Sequence, residues 1–241
     1  VEAIAKMFTG ESECKFNILK GFKPDLCWVI DSASEYISPG ACGFITVKAV
    51  VKGKAAHSSR PYTAKNPIYP MAKLALTLEE IAKWFENNMV SPFPAPEHYF
   101  SLPVRLSVTV VSANPAKAAN IIPETAELYA NIRVPPNLEE ISVIEKLFEK
   151  LSEKLGNISV IDNCRVEFSI ETVQPGYYTD IFKNLIAKRV AKTIGEVKPG
   201  IKVFVEPATN DGRFFAKAMP VLNFGVIRSD NNFHAPNEFV Y

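Results

Sequence analysis

Two of the three histidines and a few carboxylates mark where chemistry could occur in this chain of 241 residues. Asp31 directly follows the apolar run 26–30, and a carboxylate at the carboxyl end of a buried strand points into the crevice where α/β proteins bind ligands. His234 precedes Glu238, which could orient the imidazole as a metal ligand. Two plainer interpretations stay open, because Asp31 could cap a turn and His234 could be an ordinary loop residue.

A second group of polar residues lies in the middle and near the end of the chain. His57 occupies the polar turn 53–61, where it could donate a hydrogen bond to a developing oxyanion. Arg133 falls on the polar face of an alternating strand, downstream of Asn120, and could hold a substrate carboxylate with two hydrogen bonds. The turn 209–214 could cap a helix and present backbone N–H groups to an anion. His57 could instead be a surface histidine, and Arg133 a solvated strand arginine.

Two kinds of strand must position these side chains. An uninterrupted apolar run at residues 26–30, and largely apolar runs at 203–205 and 221–224, predict strands covered on both faces, as in a parallel α/β sheet. Alternating runs predict antiparallel strands with one wet face. Their apolar residues are Val104, Leu106, Val108 and Val110; Ala126, Leu128, Ala130, Ile132 and Val134; and Val166, Phe168 and Ile170, with a weaker alternation at 44–51.

Two amphipathic helices separate these strands. The first is predicted to begin after Asn66-Pro67, and the second to open at Asn137 and end at Gly156. A third is predicted near 179–194. Their apolar stripes are Met71, Leu74, Leu78, Ile81 and Phe85; Ile141, Ile144, Leu147, Leu151 and Leu155; and Phe182, Ile186 and Val190.

The order strand, helix, strand, strand, helix, strand is that of a ferredoxin-like α+β domain. We therefore predict such a βαββαβ domain at residues 43–173, inserted into an α/β domain formed by residues 1–42 and 174–241. The net charge of +1 gives no electrostatic footprint for nucleic acid or a membrane surface. Four cysteines without a C-x-x-C pair favour a reducing, cytoplasmic setting.

Four segments together resemble the M20 family of metallohydrolases, in the order expected for that family. They are the strand that ends at Asp31, the stretch 53–67, the stretch 120–133, and the pair 209–215 and 234–238. The resemblance implies hydrolysis of an amide bond in an N-acyl amino acid or small peptide by water activated at two metal ions, zinc first, with cobalt or manganese as alternatives. It also implies that domain 43–173 is a lid through which two copies form a homodimer.

The resemblance assigns roles to single residues. Asp31 and His234 would bind metal, and His57 would reach the partner's site and polarise the scissile carbonyl. Substrate contacts would come from Asn120, Arg133 and Thr209. Asp211 and Arg213 would hold their turn in shape.

The chain also departs from the family pattern near its start. Relatives carry two adjacent glutamates, a general base followed by a metal ligand, whereas here Ser12 separates Glu11 from Glu13. If Glu13 is the ligand, Ser12 occupies the base position; if Glu11 is the base, Ser12 occupies the ligand position. The early H-x-D segment of the family is missing, so the α/β domain is expected to be incomplete. The alternative function is that of a non-catalytic dimerising or binding relative.

Overall fold

The computed structural model describes residues 24–30, 32–96, 101–115, 119–228, 231, 236, 237 and 239. Helices and strands alternate along them, which confirms the mixed α/β class. The chain divides into two compact units. The first draws its residues from Val1–Cys42, Pro92–Leu102 and Gly176–Tyr241, and the second from Gly43–Ser91 and Pro103–Pro175.

The helices are α1 (Ile68–Asn88), α2 (Glu140–Leu155), α3 (Leu185–Val197) and α4 (Gly212–Phe215), and a 3-10 turn covers Pro61–Thr63. The long strands are β4 (Gly43–Lys52), β8 (Arg105–Asn114), β10 (Thr125–Val134) and β12 (Cys164–Gln174). The short strands are β1 (Cys27–Val29), β2 (Tyr36–Ile37), β3 (Gly40–Ala41), β5 (Ala56–His57), β6 (Val90–Ser91), β7 (Leu102–Pro103), β9 (Ile121–Ile122), β11 (Val160–Ile161), β13 (Tyr177–Tyr178), β14 (Lys202–Val203) and β15 (Val221–Asn223).

An antiparallel sheet of five strands, in the order β11-β12-β4-β10-β8, forms the centre of the second unit. Its long strands and helices follow one another in the chain as strand, helix, strand, strand, helix, strand. Alternate residues of β4 and β10 are buried in one core with α1 and α2, as the alternation of β10 predicts. The buried residues of these two strands are Ile45, Val47, Ala49, Val51, Ala126, Leu128, Ala130, Ile132 and Val134.

A bulge changes the face of β8 on which its later residues lie. Between Tyr129 and Ala130 the register with β10 shifts, so that Tyr129 pairs with Val110 while Ala130 pairs with Val108. The extra residue, Thr109, turns the following side chain to the other face of the sheet. Val110 is 47% exposed for this reason, and its predicted place in the core is wrong.

The stripe of α1 is confirmed, since its five predicted residues are all buried. The Asn66 side chain accepts a hydrogen bond from the Ile68 N–H at 3.0 Å, next to the helix start. The predicted start of α2 at Asn137 is wrong, because Leu138 N–H donates to the Pro135 carbonyl in a preceding turn and the helix begins at Glu140. Ile141 lies in the first turn of α2 and is 58% exposed, whereas Val143 takes its place in the core.

The first unit consists of short elements. Strand β1 runs parallel to β15, β2 runs parallel to β14, and β3 pairs with β13 in the antiparallel sense. Residues 92–102 belong to this unit and not to the predicted insertion. Their position is explained by the buried cluster of Ala95 and Leu102 with Cys42 and Val205, and by a 2.8 Å hydrogen bond from the Val205 N–H to the Pro94 carbonyl.

The third helix begins later than predicted. Phe182 is 78% exposed, because the Asp180 carboxylate accepts hydrogen bonds from the N–H groups of Phe182 and Lys183 and holds them in a turn. Asn184 then caps α3 by accepting the Ala187 N–H at 2.9 Å. In the described part of the chain, no helix combines the length and apolar character that crossing a membrane requires.

Candidate functional site

His57 and Asn120 are brought together in the second unit. Strands β5 and β9 pair so that His57 lies opposite Ile121, and the Ser58 N–H donates to the Asn120 carbonyl at 2.9 Å. Both side chains are exposed to solvent. The sequence contained the two residues, but the pairing that joins their segments is made by strands of only two residues each.

The ring of His57 has a defined acceptor nitrogen. The Ser59 backbone N–H donates to His57 Nδ1 at 3.2 Å, and the Ser59 hydroxyl lies 2.8 Å from the same nitrogen. Because a backbone N–H can only donate, Nδ1 is the unprotonated nitrogen of the neutral ring. The proton is then carried by Nε2, which makes this edge of the imidazole a hydrogen-bond donor.

Gly53 fixes the point where the turn of His57 leaves the sheet. Its N–H donates to the Glu124 carbonyl at 2.8 Å, and the adjacent Lys54 exchanges backbone hydrogen bonds with Lys65. A Cβ atom added to Gly53 would lie 2.0 Å from the Lys65 carbonyl oxygen. No side chain fits between these backbones, so only glycine permits this approach.

Arg133 lies at the other end of β10, on the outer face of the sheet. It pairs with Phe44 of β4, and its guanidinium carbon is 5.4 Å from the centroid of the Phe44 ring. Thr125, at the start of β10, pairs with Lys52 beside the turn of His57. Thr125 and Arg133 are eight residue steps apart, which is about 26 Å of strand. Within one copy of the chain, the turn of His57 and Arg133 therefore lie towards opposite ends of β10.

Thr209 opens the predicted polar turn of the first unit. Its hydroxyl donates to the Cys42 carbonyl at 2.6 Å. The next residue, Asn210, closes the turn, since its side-chain oxygen accepts the Gly212 N–H at 3.0 Å and its carbonyl accepts from Arg213 at 2.9 Å. Helix α4 therefore begins with an N–H already engaged by Asn210, and Asp211 at its N-cap makes no side-chain capping bond.

A buried polar network supports this turn. The Tyr177 hydroxyl lies 2.7 Å from the side-chain oxygens of both Asn210 and Asn223, and the Asn223 amide donates to the Ser38 carbonyl at 2.9 Å. Burial raises the pKa of Tyr177 above its usual range. This network was not predicted from the sequence, although a polar residue such as Asn223 within an apolar run was a signal for it.

Glu206 anchors the segment that follows β1. Its carboxylate accepts hydrogen bonds from Tyr36 at 3.0 Å and from Ser32 at 3.2 Å. Burial raises the pKa of Glu206, while these hydrogen bonds partly offset the effect. Ser32 directly follows Asp31 in the chain, so Glu206 holds the neighbour of a predicted metal ligand.

The predicted base and metal ligands, Glu11, Glu13, Asp31 and His234, lie outside the described residues. Within the described ranges, no three His, Cys, Asp or Glu side chains are grouped closely enough to hold a metal ion. Two carboxylates and an imidazole are donors that suit zinc, and cobalt and manganese accept the same types. The chemistry of the predicted donor set therefore fits a metal, and its geometry stays a prediction.

Residues 40–159 match the M20 family model for the peptidase dimerisation domain. A succinyl-diaminopimelate desuccinylase from Methylorubrum populi is 27% identical over 202 residues, which are 82% of this chain and 46% of that enzyme. The enzyme of the same name from Methylobacterium radiotolerans is 29% identical over 198 residues, 80% of this chain and 45% of the relative. The chain spans about half the length of the curated relatives it matches.

Solved structures share the fold. AtUAH in complex with glyoxylate has a TM-score of 0.63 at 19% identity and covers 89% of this chain and 48% of its own. The aminopeptidase PepT from Bacillus cereus has a TM-score of 0.60 at 15% identity, with 88% of this chain and 51% of its own covered. Because residues 40–159 match the M20 family model and the desuccinylases align over about four fifths of the chain, the chain belongs to the M20 family of metallohydrolases.

Proposed function

We propose that this protein is a metal-dependent hydrolase that cleaves the amide bond of an N-acyl amino acid or a small peptide. The observation that carries the proposal is the state of His57. Its Nδ1 accepts the Ser59 N–H, which leaves the Nε2–H of the exposed ring as a hydrogen-bond donor. Such a donor stabilises the negative charge that develops on a carbonyl oxygen when water attacks an amide.

The remaining roles complete this chemistry. Glu13, Asp31 and His234 would hold zinc, with two ions in a complete site and cobalt or manganese as alternatives. When bound, the metal supplies an activated water and polarises the scissile carbonyl. Glu11 would take the proton of that water and pass it to the leaving amine.

Three residues would bind the substrate. Arg133, whose guanidinium lies against the Phe44 ring, would hold a carboxylate with two hydrogen bonds. Asn120, beside His57, would contact the part of the substrate near the scissile bond. Thr209 donates its hydroxyl proton to Cys42, so its oxygen would meet the substrate as an acceptor.

The separation along β10 favours a homodimer formed by the second unit, which would act as the lid. A single small substrate cannot reach across about 26 Å of strand from the turn of His57 to Arg133. His57 and Asn120 of one copy would therefore complete a site that contains Arg133 of the other copy. The match of residues 40–159 to a peptidase dimerisation domain supports the same assembly.

The direct test supplies zinc to the purified chain and follows release of free amine from N-succinyl and N-acetyl amino acids. We expect hydrolysis that a chelator abolishes. His57→Ala should lower kcat by about 10²- to 10³-fold, the effect of losing one donor to an oxyanion. The control is Ser58→Ala, in the same turn, where only the backbone N–H makes the bond to Asn120.

The dimer is tested by mixing two inactive variants, His57→Ala and Arg133→Gln. A mixed dimer would contain one site with both residues intact, so a re-equilibrated mixture should regain about a quarter of the original activity. An inactive mixture that contains mixed dimers would contradict the shared site.

One observation favours a non-catalytic dimerising relative instead, namely that Ser12 separates Glu11 from Glu13. A chain that dimerises and takes up zinc but releases no amine would support this second function.

A further inference from the structure

Ser59 makes two contacts with the ring of His57. Its hydroxyl lies 2.8 Å from His57 Nδ1, and its backbone N–H donates to the same nitrogen at 3.2 Å. Hydrogen bonds from a hydroxyl donor are usually about 2.7–2.8 Å long, whereas about 3.2 Å is the long end of the range for an N–H donor. The contact of the hydroxyl is therefore the stronger of the two.

The two contacts exclude one form of the ring. A neutral imidazole carries its proton on either Nδ1 or Nε2, and only the unprotonated nitrogen can accept a hydrogen bond. If His57 carried the proton on Nδ1, that hydrogen would point at the hydrogen of the Ser59 N–H. With Nδ1 unprotonated, the hydroxyl and the N–H of Ser59 can both donate to it. Both contacts therefore favour the proton on Nε2, and both hold the ring in one orientation relative to its own turn.

The backbone of this turn does not depend on the Ser59 hydroxyl. The Arg60 N–H donates to the His57 carbonyl at 2.9 Å, and the Ser58 N–H donates to the Asn120 carbonyl at 2.9 Å. The Ser59 side chain is exposed, so its truncation leaves no cavity in the core. Removal of the hydroxyl would thus change the surroundings of one ring nitrogen and leave the backbone bonds of the turn in place.

We propose that Ser59 is a positioning residue for the hydrolysis, because its hydroxyl holds His57 as the Nε2–H tautomer and fixes the orientation of the ring. The proposal rests on the proposed function, since the histidine that Ser59 positions is the donor to the oxyanion in that reaction. A ring with its proton on Nδ1 would present a lone pair at Nε2. Such a lone pair repels a developing oxyanion, whereas an N–H group stabilises it.

The test detects the ring proton directly and needs neither metal nor substrate. Two-bond proton–nitrogen correlation spectra of the isotope-labelled chain, recorded at about pH 9, where an ordinary imidazole is neutral, show which ring nitrogen carries the proton. Comparison with His57→Gln identifies the signals of His57 among those of the three histidines. We expect Nε2 to be protonated in the original chain. Ser59→Ala should lower the ratio of the Nε2–H to the Nδ1–H tautomer by about two- to tenfold, the factor that corresponds to one ordinary hydrogen bond.

Two further variants separate positioning from a general disturbance of the turn. Ser59→Thr keeps both the hydroxyl and the backbone N–H, and it should restore the tautomer ratio of the original chain. Ser58→Ala removes the neighbouring hydroxyl but keeps the N–H that donates to Asn120, and it should leave the ratio unchanged. A ratio in the original chain equal to that of free histidine, an unchanged ratio in Ser59→Ala, or an equal change in Ser58→Ala would overturn the proposal.

The two proposals fail separately. On an amide that the zinc-supplied chain hydrolyses, Ser59→Ala should lower kcat and leave KM unchanged, because the donor acts on the transition state. If the tautomer depends on Ser59 but no amide is hydrolysed, the hydrolase proposal fails and the control of the His57 tautomer by Ser59 stands. If amides are hydrolysed but Ser59→Ala changes neither the spectra nor kcat, the role of Ser59 is wrong and the hydrolase proposal stands.

Discussion

The two units reach a defined structure by different means. In the second unit, β4 pairs with β10 over ten residues, and burial follows the alternation of apolar residues along each strand. In the first unit, strands of two or three residues are held by polar side chains, such as Asn223 bonded to Ser38 and Thr179 accepting the Val221 N–H at 2.8 Å. The burial pattern of a long strand is determined by its own alternation of apolar residues. The position of a short strand depends on hydrogen-bond partners that lie far away in the sequence.

The largest effect is expected from the core of the second unit. Leu147→Ala removes a fully buried side chain of α2 and should lower the free energy of unfolding by about 2–5 kcal/mol. Ile141→Ala, in the same helix but exposed, should change it by no more than about 0.5 kcal/mol. Denaturant unfolding of both variants measures the difference. Equal losses of unfolding free energy would mean that Ile141 belongs to the core after all, as predicted from the sequence.

A smaller effect is expected in the first unit. Tyr177→Phe removes the hydroxyl that donates to Asn210 or Asn223 and should cost about 1–3 kcal/mol, the penalty for an unsatisfied buried polar group. Tyr178→Phe is the control, since that neighbouring residue is more exposed. Amide hydrogen exchange should show faster opening in the first unit while β4 and β10 keep their protection. Uniform loss of protection would mean that the units unfold together.

The smallest effect depends on pH. Burial raises the pKa of Glu206 above its ordinary value of 4.5, so its contribution to stability is fully present below that value and is lost as pH rises through the folded-state pKa. Glu206→Gln does not titrate. Between pH 4 and 8, the unfolding free energy of the variant should therefore increase relative to that of the original chain as pH rises. Parallel profiles would show that Tyr36 and Ser32 offset the desolvation of the carboxylate.

Much of the second unit was predictable because side-chain periodicity is a local property. The stripe of α1 and the buried residues of β10 follow from spacing alone. Val110 did not, because one inserted residue, Thr109, reverses the face without altering the apolar pattern. Residues 92–102 carry no periodic signal, and their place in the first unit depends on Val205 and Cys42, more than a hundred and about fifty residues away.

The residue types of the candidate site could be predicted from the sequence, but most of its geometry could not. His57, Asn120, Arg133 and Thr209 could be selected from their segments, and those of His57 and Asn120 do meet. Sequence spacing could not show that β10 separates Arg133 from them. Nor could it show that Arg105 faces Arg133, because cross-strand register depends on the bulge and on the pairing of distant strands.

The length of strand β10 fixes a distance in the second unit. Its length sets the spacing between the end that adjoins the turn of His57 and the end that bears Arg133. Because side chains alternate, a change of one residue would exchange the core face for the outer face, while a change of two would preserve both faces and move the ends by about 7 Å. The spacing can therefore change only in steps of two residues, whereas the outer face can be altered by single substitutions that leave the length of β10 unchanged.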